Sequence, residues 1–149
     1  MYQTVYEYSE VHAFRYIFTS TGKRNIDKVI QFTPTATSNV YNLAFGDLLP
    51  NGGIDDMAKS NNGDIIKIFA TIIDVIKCFT TINPSFLIYF EGSIPERTLL
   101  YNRILKTYYQ PFIEKFVIAG LIKTDNGDIY VPFDPTSTDA YWAFLIKRI

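Results

Sequence analysis

Two short stretches of this chain combine residue types that bind anions. Ser60-Asn61-Asn62-Gly63-Asp64 stands directly ahead of one helical pattern, and Glu91-Gly92-Ser93 ahead of another that carries Arg97 in its first turn. The start of a helix offers backbone N–H groups without intrahelical partners and the positive end of the helix dipole, which together attract phosphate or carboxylate. The candidate anion-binding residues are therefore Asn61, Asn62, Gly63 and Asp64 at the first start, and Ser93 and Arg97 at the second. Gly63 permits close approach of a ligand or of backbone. Asp64 puts a negative charge where a phosphate would sit, so an ordinary capped helix after a loop accounts for the same residues. Cys78 and His12 are the chain's single cysteine and histidine. An internal disulfide and the usual zinc site built from thiolates and imidazoles are thereby excluded. His12 reads as a strand residue of the first hairpin and Cys78 as a buried member of an apolar helix.

The elements that must position these residues follow from periodicity. His12 to Thr19, Asn25 to Phe32 and Val40 to Phe45 alternate apolar with polar side chains across short turn-prone breaks, which predicts an antiparallel three-stranded meander. Leu48 to Gly63, with Pro50, Gly52, Gly53 and Gly63, reads as a loop. From Asp64 the residues Ile65, Ile68, Phe69, Ile72, Ile76 and Phe79 recur at helical spacing, with Asn61 or Asn62 available as cap. Asn83-Pro84 ends that helix. Phe86 to Phe90 suits a central strand covered on both faces. Ser93 and Glu96 form a capping box for a second helix from Ile94 to about Tyr108, stopping before Pro111. Phe116 to Ile122 and Ile129 to Val131 make a hairpin around Asn126-Gly127, and the apolar tail Ala140 to Arg148 reads as a last strand. The expectation is a single α+β domain over residues 1–149. Its order is β-β-β-α-β-α-β-β plus a final strand, with a mixed, mainly antiparallel sheet, two main helices and a right-handed crossover.

Composition bounds the function classes. A formal charge of −1 and a pI near 5.8 supply no global field for nucleic acid or an anionic membrane. No apolar run is long enough to span a bilayer, and Met1 to Glu10 lacks the features of a secretory leader, so a cytoplasmic location is expected. The distinctive quantity is the 16% aromatic content, which serves cores, partner surfaces and base-stacking platforms alike.

The predicted order of strands, glycine-containing loop and helices resembles the core of the GNAT N-acyltransferases. In that family an Arg/Gln-x-x-Gly-x-Gly/Ala loop holds the pyrophosphate of acyl-CoA on backbone N–H groups. The corresponding stretch here, Lys59 to Ile65, keeps Gly63 but lacks the second small residue. The resemblance also implies that the Leu100-Tyr101 pair supplies, through Tyr101, the proton for a departing thiolate, and that a carboxylate near the centre of the sheet acts as general base. Asp47 and Glu91, at predicted strand ends, are the available positions. A second resemblance covers most of the chain. Val29-Ile30-Gln31-Phe32, Tyr41 to Asp47, Ser60 to Asp64, Phe69-Ala70-Thr71, Gly92-Ser93, Arg97-Thr98 and Leu100-Tyr101 are similar to an uncharacterised family of short proteins, mainly from Bacteroidota and phages. It implies a bacterial setting, that of mobile elements or of defence.

Three functions are consistent with these residues. The first is a partner-binding protein, its partner another protein or a second copy of the chain, on a GNAT-like scaffold whose cofactor site has degenerated. The second is an active N-acyltransferase whose cofactor is acyl-CoA. The third is a nucleic-acid or nucleotide binder, toxin-like, that relies on Arg97, Arg103, Lys106 and exposed tyrosines. The first two require the amino ends of both helices to point into one crevice where the sheet splays.

Overall fold

The computed structural model describes residues 5–12, 14–56, 61–92, 95–107, 110, 113–138 and 140–149. Along the chain run β1 (Tyr8–His12), β2 (Arg15–Ser20), β3 (Ile26–Pro34), β4 (Val40–Leu48), β5 (Ile54–Asp55), α1 (Ile65–Ile82), β6 (Leu87–Phe90), α2 (Pro95–Thr107), β7 (Phe116–Thr124), β8 (Gly127–Pro132) and β9 (Ala143–Arg148). The strands form one sheet in the order β1-β2-β3-β4-β6-β9-β7-β8, with β5 alongside the end of β4. Every neighbouring pair is antiparallel except β4 and β6, which are parallel and connected through α1. This is the mixed, mainly antiparallel α+β sheet with two main helices that the sequence predicts.

Register explains which side chains meet. Tyr16 faces Ile30 and Ile30 faces Phe45, while Phe32 faces Leu43, so the aromatic residues of the meander share one side. In the other half of the sheet Ile88, Ile146 and Ile118 are in line across β6, β9 and β7. Both helices lie on this same side. Phe79 of α1 stacks on Phe32 with ring centroids 4.0 Å apart, Tyr101 of α2 is 4.7 Å from Phe90, and Phe69 of α1 is 6.0 Å from Tyr101. Isoleucine is an indifferent helix former, yet α1 buries Ile68, Ile72, Ile73 and Ile76 with Phe69 and Phe79. Each such side chain contributes about 1.5–3 kcal/mol, which outweighs a propensity deficit of a few tenths per residue.

Several local expectations are corrected. The segment 8–12 is a strand that the periodicity did not reveal, because an edge strand with four exposed residues needs no buried alternation. His12 consequently ends β1 instead of opening β2, and the chain reverses through Phe14 at φ 63°. The loop ahead of α1 contains the short β5. Strand β6 is central but not covered on both faces: Ile88 and Phe90 are buried under the helices, whereas Leu87 and Tyr89 on the helix-free face are half-buried. Cys78 is half-buried. The expected helix ends Ile94 and Tyr108, and Pro111, lie outside the described residues. The tail is a strand, inserted between β6 and β7.

Candidate functional site

Both helices begin at the same end of the sheet, the carboxyl end of the parallel pair β4 and β6, but the two beginnings differ. At α1 the capping position is Asp64, whose side chain makes no capping hydrogen bond. Asn61 and Asn62, expected as caps, do not take that role. The buried Asn62 donates through Nδ2 to Ser20 Oγ (2.9 Å) and to the Arg24 carbonyl (2.7 Å), and accepts through Oδ1 from the Arg24 N–H (2.9 Å). Its carbonyl accepts the Lys23 N–H at 2.9 Å. Asp64 Oδ2 accepts from the hydroxyls of Tyr6 and Ser20, both at 2.5 Å, while Oδ1 is buried without a hydrogen-bond partner among the described residues. Gly22 is what lets the β2–β3 turn come so close, since a Cβ there would lie 1.9 Å from the Asn62 carbonyl oxygen. The start of α1 is thus covered by the protein's own turn and faced by a carboxylate. It does not fit a pyrophosphate, because every oxygen placed there would displace Asp64 or meet its charge.

The start of α2 stands beside a gap in the sheet. Strands β4 and β6 pair only through Val40 with Leu87, Tyr41 with Ile88 and Asn42 with Tyr89. Beyond that point β4 continues to Leu48 and is next paired on this edge at Asp47 and Leu48, by β5. Between the two pairings the edge of β4 over residues 43–46 faces the end of β6 across a gap. A cavity of about 260 Å³ occupies it, walled by β4 residues 42–45, by Phe90, Glu91 and Gly92, and by Asp56, Arg97 and Tyr101. Arg97 donates through Nη1 to the Asp56 carbonyl at 2.5 Å, which ties α2 to the segment after β5. Thr98 Oγ1 accepts the Gly92 N–H at 3.1 Å and so fixes the turn into α2.

Tyr101 lies beneath this gap. Only 3% of it is exposed, its ring packs on Phe90 and Phe69, and its hydroxyl makes no hydrogen bond among the described residues. Burial pushes that hydroxyl up to about 12, against a smaller downward pull from Arg97. It stays protonated at any physiological pH and so can act as a hydrogen-bond donor toward the cavity.

The sequence of this chain matches, over residues 2–149, the family of unknown function DUF6934. The chain belongs to the DUF6934 family. No curated protein of known function and no solved structure matches it.

Of the residues singled out from sequence, this DUF6934 member brings Tyr101, Arg97 and Glu91 to one cavity and leaves the others elsewhere. Glu91 forms part of the wall, but its charge acts on Tyr89 and Tyr130, which lie on the helix-free face. Burial first and then the Glu91 carboxylate push Tyr89 up to about 12, and the same two causes raise Tyr130. Asp47 forms an ion pair with the buried Lys28 across the β3–β4 ladder, farther along β4 than the cavity. Asn62 is buried against the β2–β3 turn and Asp64 is half-buried beside Ser20, Asn61 and Gly63 are exposed, and Ser93 lies outside the described residues. The basic residues of α2 do not make one surface: Lys106 donates to the Ser137 carbonyl and lies over the Tyr141 ring, while Arg103 is exposed. The sequence did not single out Asp56, and Asn42 and Ala44 entered only as part of the Tyr41 to Asp47 family resemblance, without a site role. Their role depends on where two strands part, for which no local pattern exists. Among the described residues no group of three potential metal ligands converges, and no helix is long and apolar enough to cross a membrane.

Proposed function

We propose that this protein is a partner-binding module that accepts an extended, amide-bearing segment of another protein in the gap between β4 and β6. The observation that carries this reading is the pair of facing strand edges with Tyr101 beneath them. Main-chain N–H and C=O groups on open strand edges seek partners, and an added chain segment satisfies them by strand addition. The Tyr101 hydroxyl then donates to a carbonyl of that segment. A volume of about 260 Å³ falls below the ~300–1,000 Å³ of sites that enclose a whole drug-sized ligand, which suits one stretch of a longer chain. The GNAT-like likeness supports the scaffold, and the covered start of α1 supports a lost cofactor site. The setting proposed with it is bacterial, in mobile elements or defence.

A second reading, acyl-CoA-dependent N-acyl transfer, draws on the position of Tyr101 at the strand gap and is opposed by Asp64 and the β2–β3 turn at α1. Selection of a displayed random-nonapeptide library against the wild type and against Ala44→Trp, which fills the gap, tests the first reading. Enrichment by the wild type alone is expected, with thermal melts confirming that both fold. Calorimetry with acetyl-CoA is expected to show no heat at millimolar concentration; saturable binding would restore the enzyme reading, and the absence of any enriched peptide would remove the first.

A further inference from the structure

We infer that the strand gap takes the carboxyl end of the bound segment, with the terminal carboxylate held between the Arg97 guanidinium and the Tyr101 hydroxyl. This deepens the peptide-binding reading above and rests on it. The first ground is the shape of the gap. Along the sheet it is closed at one end by the rung that pairs Asn42 with Tyr89. At the other end stands β5, which pairs with Asp47 and Leu48 and continues into Asp56, whose carbonyl is tied to Arg97 of α2. Between those closures β4 leaves residues 43–46 open on this edge, a run of about 13 Å. On the helix side Tyr101, packed on Phe90 and Phe69, forms the floor. A strand that passed through the gap would have to break one of the closures, whereas a strand that ends there enters from the helix-free face and need not leave.

The second ground is charge, which decides between the two ends of a chain. An amino end brings an ammonium and a carboxyl end a carboxylate, and the two require opposite surroundings. Arg97 is half-buried in the cavity wall. Its charge acts on the Tyr101 hydroxyl, pulling that group down against the upward push of burial. Donation to the Asp56 carbonyl, a neutral acceptor, leaves the guanidinium its charge. A planar fork of five N–H donors matches a carboxylate, and a charge-assisted hydrogen bond is stronger than a neutral one. Tyr101 adds a protonated hydroxyl that makes no hydrogen bond among the described residues. Two acids share the wall, but neither carboxylate shifts Tyr101. Asp56 engages Arg97 through its carbonyl, and the Glu91 carboxylate acts on Tyr89 and Tyr130 at the helix-free face. The floor of the gap is therefore cationic and donating. An ammonium would be repelled there, and an internal carbonyl would satisfy Tyr101 but meet Arg97 with a dipole where a carboxylate brings a full charge.

The test displays the nonapeptide library in two formats, one with the carboxyl ends free and one with those ends joined to the carrier. Enrichment on the wild type is expected from the first format alone. A synthetic copy of an enriched peptide should bind the wild type at least about tenfold more tightly as the free acid than as the carboxyl-terminal amide. That comparison needs no variant. Arg97→Gln should bring the ratio of acid to amide below about threefold, and Arg97→Lys, which keeps the charge, should hold it above the Gln value, with thermal melts showing that both fold. Enrichment from the joined format, acid and amide bound alike by the wild type, or an acid preference undiminished in folded Arg97→Gln would overturn the terminal carboxylate and leave the strand gap standing. Failure of both formats to enrich any peptide would overturn both readings.

Discussion

The starts of α1 and α2 stand at the same end of one sheet, α1 after β4 and the short β5, α2 directly after β6. At α1 the β2–β3 turn reaches over and supplies Ser20, Lys23 and Arg24 as partners for Asn62, and Asp64 holds the place of an anion. At α2 two strands have parted, and Tyr101, whose hydroxyl makes no hydrogen bond among the described residues, lines the cavity between them. A helix start is therefore only a potential site. What decides its use is whether the rest of the fold brings polar groups of its own to it, and here the free potential has moved to a strand gap.

Substitutions at the two ends should separate them in order of effect. Gly22→Ala drives a methyl into the Asn62 carbonyl and should cost about 3 kcal/mol or more in chemical denaturation; a loss under ~1 kcal/mol would mean that the turn does not clamp α1. Asn62→Ala removes three hydrogen bonds of a buried amide, to Ser20 Oγ and to the N–H and carbonyl of Arg24, for an expected loss of about 2–3 kcal/mol. Alkaline titration probes the other end. Because folding raises the Tyr101 hydroxyl from 10.0 to about 12, the folded state resists ionisation that the unfolded state accepts. Its contribution is complete below pH 10 and declines by on the order of 2 kcal/mol as pH rises toward 12. Tyrosinate absorbance from Tyr101, read as the difference from Tyr101→Phe, should thus emerge near pH 12 in the folded protein and lower only with unfolding. The smallest effect belongs to Tyr101→Phe itself, which removes a hydroxyl without a protein partner and should shift stability by under ~0.5 kcal/mol while weakening peptide binding. A loss as large as that of Asn62→Ala would show that the two ends are equally committed to structure.

Much of the architecture was legible because periodicity carries it: the isoleucine spacing of α1, the alternation of β2, β3 and β4, and the turn at Asn126-Gly127. Strand β1 was not, since its exposed residues carry no apolar stripe, and β5 is too short to have a period. Asn62 shows a different limit. Its position before a helix fits a cap, but its partners come from a turn remote in sequence, and only the folded chain brings them near. Tyr101 and Arg97 were reached through helix spacing and family resemblance. The cavity that gives them meaning depends on where β4 and β6 separate, and Asn42 and Asp56 join it for that reason alone.

The parallel contact of β4 and β6 has one more consequence. Among the described residues three rungs stitch the β1–β4 meander to the β6-β9-β7-β8 block within the sheet, so the sheet is two antiparallel plates meeting along a seam, with α1 lying over it as a splint. Forces that separate the plates would concentrate on those rungs, and amide exchange there should outpace exchange inside either plate. A strand lodged in the seam would act as a weld, turning two plates into one.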